Sequence, residues 1–349
     1  MIDPHVHLRD WNQAHKETVA HGLDVAYRAG LDGVFEMPNT DPPLISRERI
    51  VKRIDLADKA DITIFHGLYG GLTPDMTQVK QMVALWRDLF PRVVGLKLFA
   101  GRSTGTLSII SPLQQEEVIQ TLTQEKFTGV LAVHCEKESY FRQKYGPYQP
   151  ENPFNHTLFR PPESEVESIK DIISFAEKAR FKGTLHICHI STIRSVEEVD
   201  KARQRGRIKI TCGLTPHHAL LYDDMMKEKD GYLLKMNPPL RTKKIQETVL
   251  TLLFSGKIDW IETDHAPHTL AEKKNASGIP GFPFYPHFIH RLCTMGINDK
   301  LVKHLTHDFI CNTFGIDIRN SRRKPDYHLE GEYEVDVFKG MRIDCENSL

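Results

Sequence analysis

Apolar segments rich in β-branched residues return at near-regular intervals along this chain, and that rhythm constrains the fold more than any other feature. They fall at residues 2–7, 33–39 (GVFEMPN), 62–68 (ITIFHGL), 93–99 (VVGLKLF), 130–135 (VLAVHC), 184–190 (TLHICHI), 208–214 (IKITCGL) and 258–263 (IDWIET). Amphipathic stretches lie between most of them. Residues 163–181 set Val166, Ile169, Ile172, Ile173, Ala176 and Ala179 on one helical stripe behind a Ser164-x-x-Glu167 capping box. Ser111-Pro112 reads as an N-cap followed by proline at the first helical position. Eight strand–helix units in succession favour an α/β fold of the (β/α)8 TIM-barrel kind, which 349 residues can hold as one domain. The alternative is an open doubly wound sheet, but no GxGxxG follows an early strand.

Two connections break the rhythm. Residues 137–162 are polar and aromatic, and residues 215–241 carry Pro216-His217-His218 and Asn237-Pro238-Pro239-Leu240-Arg241. Connections this long on a barrel are more often functional than idle. From Asn320 the composition turns polar, so the expected division is a barrel over 1–319 and a tail over 320–349 outside its core.

Forty-six basic residues balance 46 acidic ones, which gives nucleic acid or an anionic membrane surface no electrostatic handle. No run of about 18 apolar residues is present to span a bilayer. Six cysteines lie singly, three of them (Cys135, Cys188, Cys212) inside strand-like segments, as reduced core cysteines do. With no charged and apolar leader ahead of Asp3-Pro4-His5, the expected setting is a reducing cytoplasm.

In a barrel of this kind chemistry collects where strands end and the following loops begin. His5-x-His7-x-Arg9 closes the first segment, and residues two apart on a strand share a face, so both imidazoles project together. The second segment ends in Pro38-Asn39-Thr40, the fourth carries Lys97, the fifth His134, the sixth His186 and His189, and the eighth runs into Asp264-His265-Ala266-Pro267-His268. Imidazoles with a carboxylate suit zinc or a related divalent ion. Lys97 leaves two readings open: a salt bridge to Asp264, or a desolvated neutral amine that takes up carbon dioxide as a carbamate and bridges two ions.

The ordered set HVHLRD, EMPNT, GLKLFAG, AVHCE, HICHIST, TPHH, NPPLR, TDHAPHT and SGIPGF resembles the dihydroorotase family of the amidohydrolase superfamily, from Asp3 to about Gly315. The resemblance implies a metal-dependent cyclic amidohydrolase that interconverts N-carbamoyl-L-aspartate and dihydroorotate in pyrimidine synthesis. It implies two divalent ions, zinc by preference, with His5, His7 and Asp264 on the first, His134 and His189 on the second, and carboxylated Lys97 as the bridge. Asp264 would be general base and then acid, and His186 would be core or lie behind the ligands. Arg9, Asn39, Asn237 and His268 would hold the substrate, joined by Ser103 and Thr104 from a mobile loop over 100–106 and by Pro280 and Phe282 of SGIPGF. The small β-sandwich of many relatives is expected to be absent or vestigial. Relatives acting on other cyclic amides, such as allantoinase and dihydropyrimidinase, share HxH and the lysine, so Arg9 is the residue that points to a carboxylate-bearing ring. A catalytically silent scaffold is the alternative from another class, although the ligand set is complete. A small-molecule substrate is implied, and a homodimer or a complex with aspartate transcarbamoylase stays open.

Overall fold

The computed structural model describes residues 1–103, 106–146 and 148–343. Eight parallel strands pair in sequence order: β1 (Ile2–Val6), β2 (Gly33–Glu36), β3 (Phe65–Gly71), β4 (Val93–Ala100), β5 (Val130–Cys135), β6 (Thr184–Ile187), β7 (Lys209–Leu214) and β8 (Trp260–Ile261). Closure comes just past β8, where Val6 bridges His265 in parallel and the His7 amide donates to the His265 carbonyl at 2.7 Å. Each of the eight sequence segments overlaps one strand, the third with the largest offset (read at 62–68, found at Phe65–Gly71), and helices fill the intervals between them. Among the described residues every named strand belongs to this one sheet. None of their helices is long and apolar enough to cross a membrane.

Two apolar layers result from the two-residue alternation of strand side chains. On β5, Leu131, Val133 and Cys135 face the helices, while Val130 and Ala132 join Ile2, Phe35, Tyr69, Val94 and Trp260 inside the barrel. That interior is stoppered at one end by Ile310, Phe314, Ile316 and Ile318. At the other end the inward positions turn polar, and this is where the site forms.

Two local expectations need correction, and one holds in position. The helix drawn over 163–181 is Pro162–Ala179, and no capping box forms at its start. Pro161-Pro162 sets the first turn instead, and Ser164 lies within it, donating to the Pro161 carbonyl at 2.8 Å. Ser111 is the N-cap of the helix Pro112–Gln124 with proline at its start, as expected, although its side chain makes no cap hydrogen bond. The segment from Asn320 does not stand apart from the core: Leu329, Val335 and Phe338 are buried, and Phe338 stacks on Phe284 with ring centroids 4.0 Å apart. Spaced singly among polar residues, these three produce no periodic signal, yet each finds a hydrophobic slot on the barrel wall.

Candidate metal centre and substrate pocket

The alternation that buries Val130 and Ala132 also turns His134 inward, and the same end of the barrel receives three more imidazoles. Ring centroids of His5 lie 5.3 Å from His7 and 5.1 Å from His189, and His134 lies 4.9 Å from His189. Asp264 completes the group, its carboxylate 2.9 Å from His7 Nε2 and 3.3 Å from His5 Nε2. His189 and Asp264, just beyond the ends of β6 and β8, have φ of 36° and 51°. Left-handed backbone at non-glycine residues is costly and tends to persist at functional sites. Here the His189 amide is held by the Glu262 carboxylate.

The hydrogen bonding of this floor calls for cations. His7 Nδ1 meets Asn39 Oδ1 at 2.6 Å, an oxygen that can only accept, so the Nε2 lone pair faces the Asp264 carboxylate. Two acceptors in contact need a proton or a metal ion between them. Burial outweighs the pull of Asp264 and, with His5 and Arg9 adding to it, brings His7 down to about 4. Burial favours the neutral acid of Asp264, but His7 and His5 outweigh it and hold the group well below the usual carboxylate range. Both ring nitrogens of His5, and Nδ1 of His189, are buried without a hydrogen-bond partner. His134 sets Nε2 on Glu136 at 3.1 Å and Nδ1 against His189 Nε2 at 3.2 Å. Donor atoms of His5, His7 and Asp264 lie within 4.8 Å of one another. Buried imidazole nitrogens left facing each other, with one carboxylate, fit divalent ions better than they fit each other.

Lys97 lies at this floor, fully buried on β4, and no carboxylate among the described residues pairs with it. Its Nζ donates to Cys188 Sγ at 3.0 Å and sits 4.9 Å from the Phe99 ring centre. The salt bridge to Asp264 is therefore not formed. Burial opposes ionisation of the Cys188 thiol, but Lys97 and His5 outweigh it and bring it to about 5.

The wall is assembled from loops. Arg9, Asn39, Ser103 and Asn237 line the pocket with His5, His7, His134, His189 and Asp264, around about 370 Å³ of space that opens to solvent. Arg9 is buried, and its Nε donates to the Pro267 carbonyl at 3.1 Å. No carboxylate of the described residues pairs with its guanidinium. Gly101 starts the 100–106 loop with φ 149°, and a β-carbon there would come within 2.1 Å of the Glu136 carbonyl, so only glycine fits. Thr104 lies outside the described residues. His268 stands behind the wall, 3.3 Å from Arg9 Nη2. Pro280 and Phe282 do not reach the pocket: Phe282 is fully buried and stacks on His265 at 3.8 Å, and Pro280 packs near Phe284 and Leu329. From that stretch it is Ser277 and Gly278 that line it.

Several supporting residues lie behind the metal-ligand candidates. Glu136 takes His134 and the Arg160 guanidinium on one carboxylate oxygen. Against the cost of burial these partners hold it down to about 2. Glu262 accepts from His186 and Trp260 at 3.0 Å each. A β-carbon on Gly213 would fall 2.4 Å from the Glu262 carboxyl carbon, so that glycine makes room for the acid. Lys137, directly after AVHCE, pairs with Asp171 of the helix Pro162–Ala179. An acid inside a strand-like segment (Glu262) or directly after one (Glu136) is the clue that could have located part of this layer.

No family model matches the chain. A dihydroorotase of Lactobacillus acidophilus is 34% identical over 291 residues, 81% of this chain and 63% of that protein. One from Anoxybacillus flavithermus is 31% identical over 319 residues, 84% of this chain and 68% of its own length. The chain thus spans a little under two thirds of the first of these relatives and a little over two thirds of the second. Among solved structures, L-hydantoinase (dihydropyrimidinase) of Arthrobacter aurescens superposes with a TM-score of 0.79 at 20% identity, covering 90% of this chain and 70% of that one. A dihydroorotase of Campylobacter jejuni gives 0.68 at 19%, covering 91% and 84%. Those two share the barrel; the sequence relatives go further, and with the ordered motifs spread around the barrel's mouth they make this chain a member of the dihydroorotase family.

Proposed function

We propose that this pocket interconverts L-dihydroorotate and N-carbamoyl-L-aspartate, a ring-opening and ring-closing step of pyrimidine synthesis. The observation that carries the reading is Arg9. A buried guanidinium without a carboxylate of its own opens onto a floor of metal-ligand type, and burial brings it down to about 10, against the pull of more distant acids such as Glu17. A planar two-pronged cation in that state is a receptor for a carboxylate. Dihydroorotate supplies that carboxylate beside a cyclic amide.

His5, His7 and Asp264 would hold one divalent ion, and His134 and His189 the second. Lys97, as the carbamate formed from its neutral amine and carbon dioxide with loss of a proton, would be the bridge. When bound, such a pair, zinc in this reading, lowers the pKa of a water and polarises an amide carbonyl. The protein's own part is positional and protonic. Arg9 and Asn237 orient the ring, and Ser103 donates its hydroxyl from the 100–106 loop as it closes over the pocket. Asp264, kept ionised by its histidines, takes a proton from the attacking water and passes it to the ring nitrogen as the C–N bond breaks. In the other direction it takes that proton from the carbamoyl nitrogen and returns it to the departing water.

An ultraviolet assay of ring opening by metal-loaded protein, with dihydrouracil and hydantoin alongside, tests this. Dihydroorotate should be the best substrate. Faster turnover of the uncharged rings would move the activity to the dihydropyrimidinase type, and no turnover of any would leave a scaffold.

A further inference from the structure

The first long connection, residues 137–162, has no part in the chemistry above. It places one buried histidine against a residue of the pocket wall. His156 lies on the helix Phe154–Phe159, and its Nε2 is 3.0 Å from both the Met236 carbonyl oxygen and Asn237 Oδ1. A backbone carbonyl only accepts, so Nε2 must carry the proton. Burial, with Arg160 and Lys235 adding to it, pushes the ring down to about 3 and keeps it neutral, and the Tyr148 ring packs edge-on at 5.6 Å.

That single N–H decides which way the Asn237 amide points. With Oδ1 turned back to accept from His156, Nδ2 is the end turned toward the pocket. The opposite orientation would set Nδ2 against Nε2–H, donor against donor, with the Met236 carbonyl holding the imidazole proton in place. Asn237 lies on the second long connection, and Thr157 Oγ1 ties the same two segments together at the Leu240 carbonyl, 3.2 Å away.

We infer that His156 is a specificity-determining positioning residue: by fixing the amide of Asn237 it makes this wall an N–H donor. The site then selects a ligand with an oxygen acceptor, a carboxylate or ring carbonyl, at that place over one presenting N–H. This rests on the function proposed above.

The test is a double-mutant cycle on the metal-loaded full chain, with dihydroorotate as the probe. His156→Leu should raise KM by about five- to tenfold, the worth of one neutral hydrogen bond, with kcat within about threefold and metal content unchanged. Asn237→Ala should do the same, and the double variant should be no worse than Asn237→Ala alone. His156→Gln keeps an N–H donor and should recover most of the loss. A purely structural role predicts instead that the two effects multiply, and that result overturns the inference, as does an unchanged KM in His156→Leu. Asn237→Asp decides the matter even if His156→Leu does not fold. An oxygen in place of Nδ2 should raise KM by about 100-fold or more, because a charged acceptor then faces the substrate's own acceptor. A KM within about threefold of wild type would mean the oxygen end faces the pocket already. Wild-type protein that neither opens nor closes the ring would remove the proposed function, and this inference with it. Active wild type with multiplying effects removes the inference alone.

Discussion

The floor and the wall of the pocket are built by different means. On the floor, His5, Lys97 and His134 owe their positions to strand register, which seven parallel strand pairings and a closing bridge fix around the barrel. A residue two along from an inward-facing one points inward whatever the loops do. On the wall, Arg9, Ser103 and Asn237 are set by contacts between segments far apart in the chain. His156 reaches across 81 residues to Asn237, and Arg160 Nη2 reaches 58 back to the Arg102 carbonyl at 2.8 Å. Reaction type therefore resides in the sheet, and substrate choice in how the insertions are stapled together. Damage to the floor should abolish chemistry, while damage to the wall should change which ring is accepted.

The largest effect should come from Lys97→Ala. Loss of a bridging ligand should lower kcat on the order of 10³-fold or more, the scale of removing a major electrostatic group, and release part of the metal. Short carboxylic acids should restore a fraction of the activity. An active variant with full metal would show that Lys97 is no bridge.

Arg9→Met comes next and touches only the wall. Charge-assisted hydrogen bonds contribute roughly 1.5–3 kcal/mol each, so kcat/KM for dihydroorotate should fall by ~10²-fold. Dihydrouracil, lacking the carboxylate, should lose little. Equal losses on both would erase the distinction between floor and wall.

The staple itself should be visible in acid. His156 is neutral in the folded chain down to about pH 3, whereas its unfolded value is 6.5. Below pH 6.5 the unfolded state binds a proton that the folded state refuses, so stability falls with pH until about 3. One such proton costs about 1.4 kcal/mol per pH unit, or about 2 kcal/mol by pH 5. Denaturant midpoints of His156→Gln should therefore decline less than wild type between pH 6.5 and 5. Parallel declines would mean the imidazole is protonated in place.

The smallest effect is expected from Tyr333→Phe. The Tyr333 hydroxyl donates to Glu17 Oε1 at 2.6 Å, and Glu17 also takes the Arg9 amide and His265 Nε2. Losing one such bond should cost about 1 kcal/mol, and kcat/KM for dihydroorotate about threefold to fivefold. Unchanged kinetics would make the C-terminal segment a cover only.

How much of this was legible in sequence follows the same line. The eight segments, and the histidines, lysine and aspartate at their ends, could be read because strand periodicity ties a residue's number to its direction. The direction of Phe282 was not legible, because proximity to a motif says nothing of which way a ring turns; here it stacks on His265. His156, Arg160 and Tyr333 could not be read, since each acts through a partner tens to hundreds of residues away. The burial of Leu329 and Phe338 was hidden for a related reason: isolated apolar residues in a polar stretch carry no period.

The central claim is a two-metal floor that opens the dihydroorotate ring, and titrating zinc into chelated protein while following that ring opening tests it most directly. Activity should return with the metal and level off near two equivalents per chain. Full activity at one equivalent, or none with two bound, would contradict it.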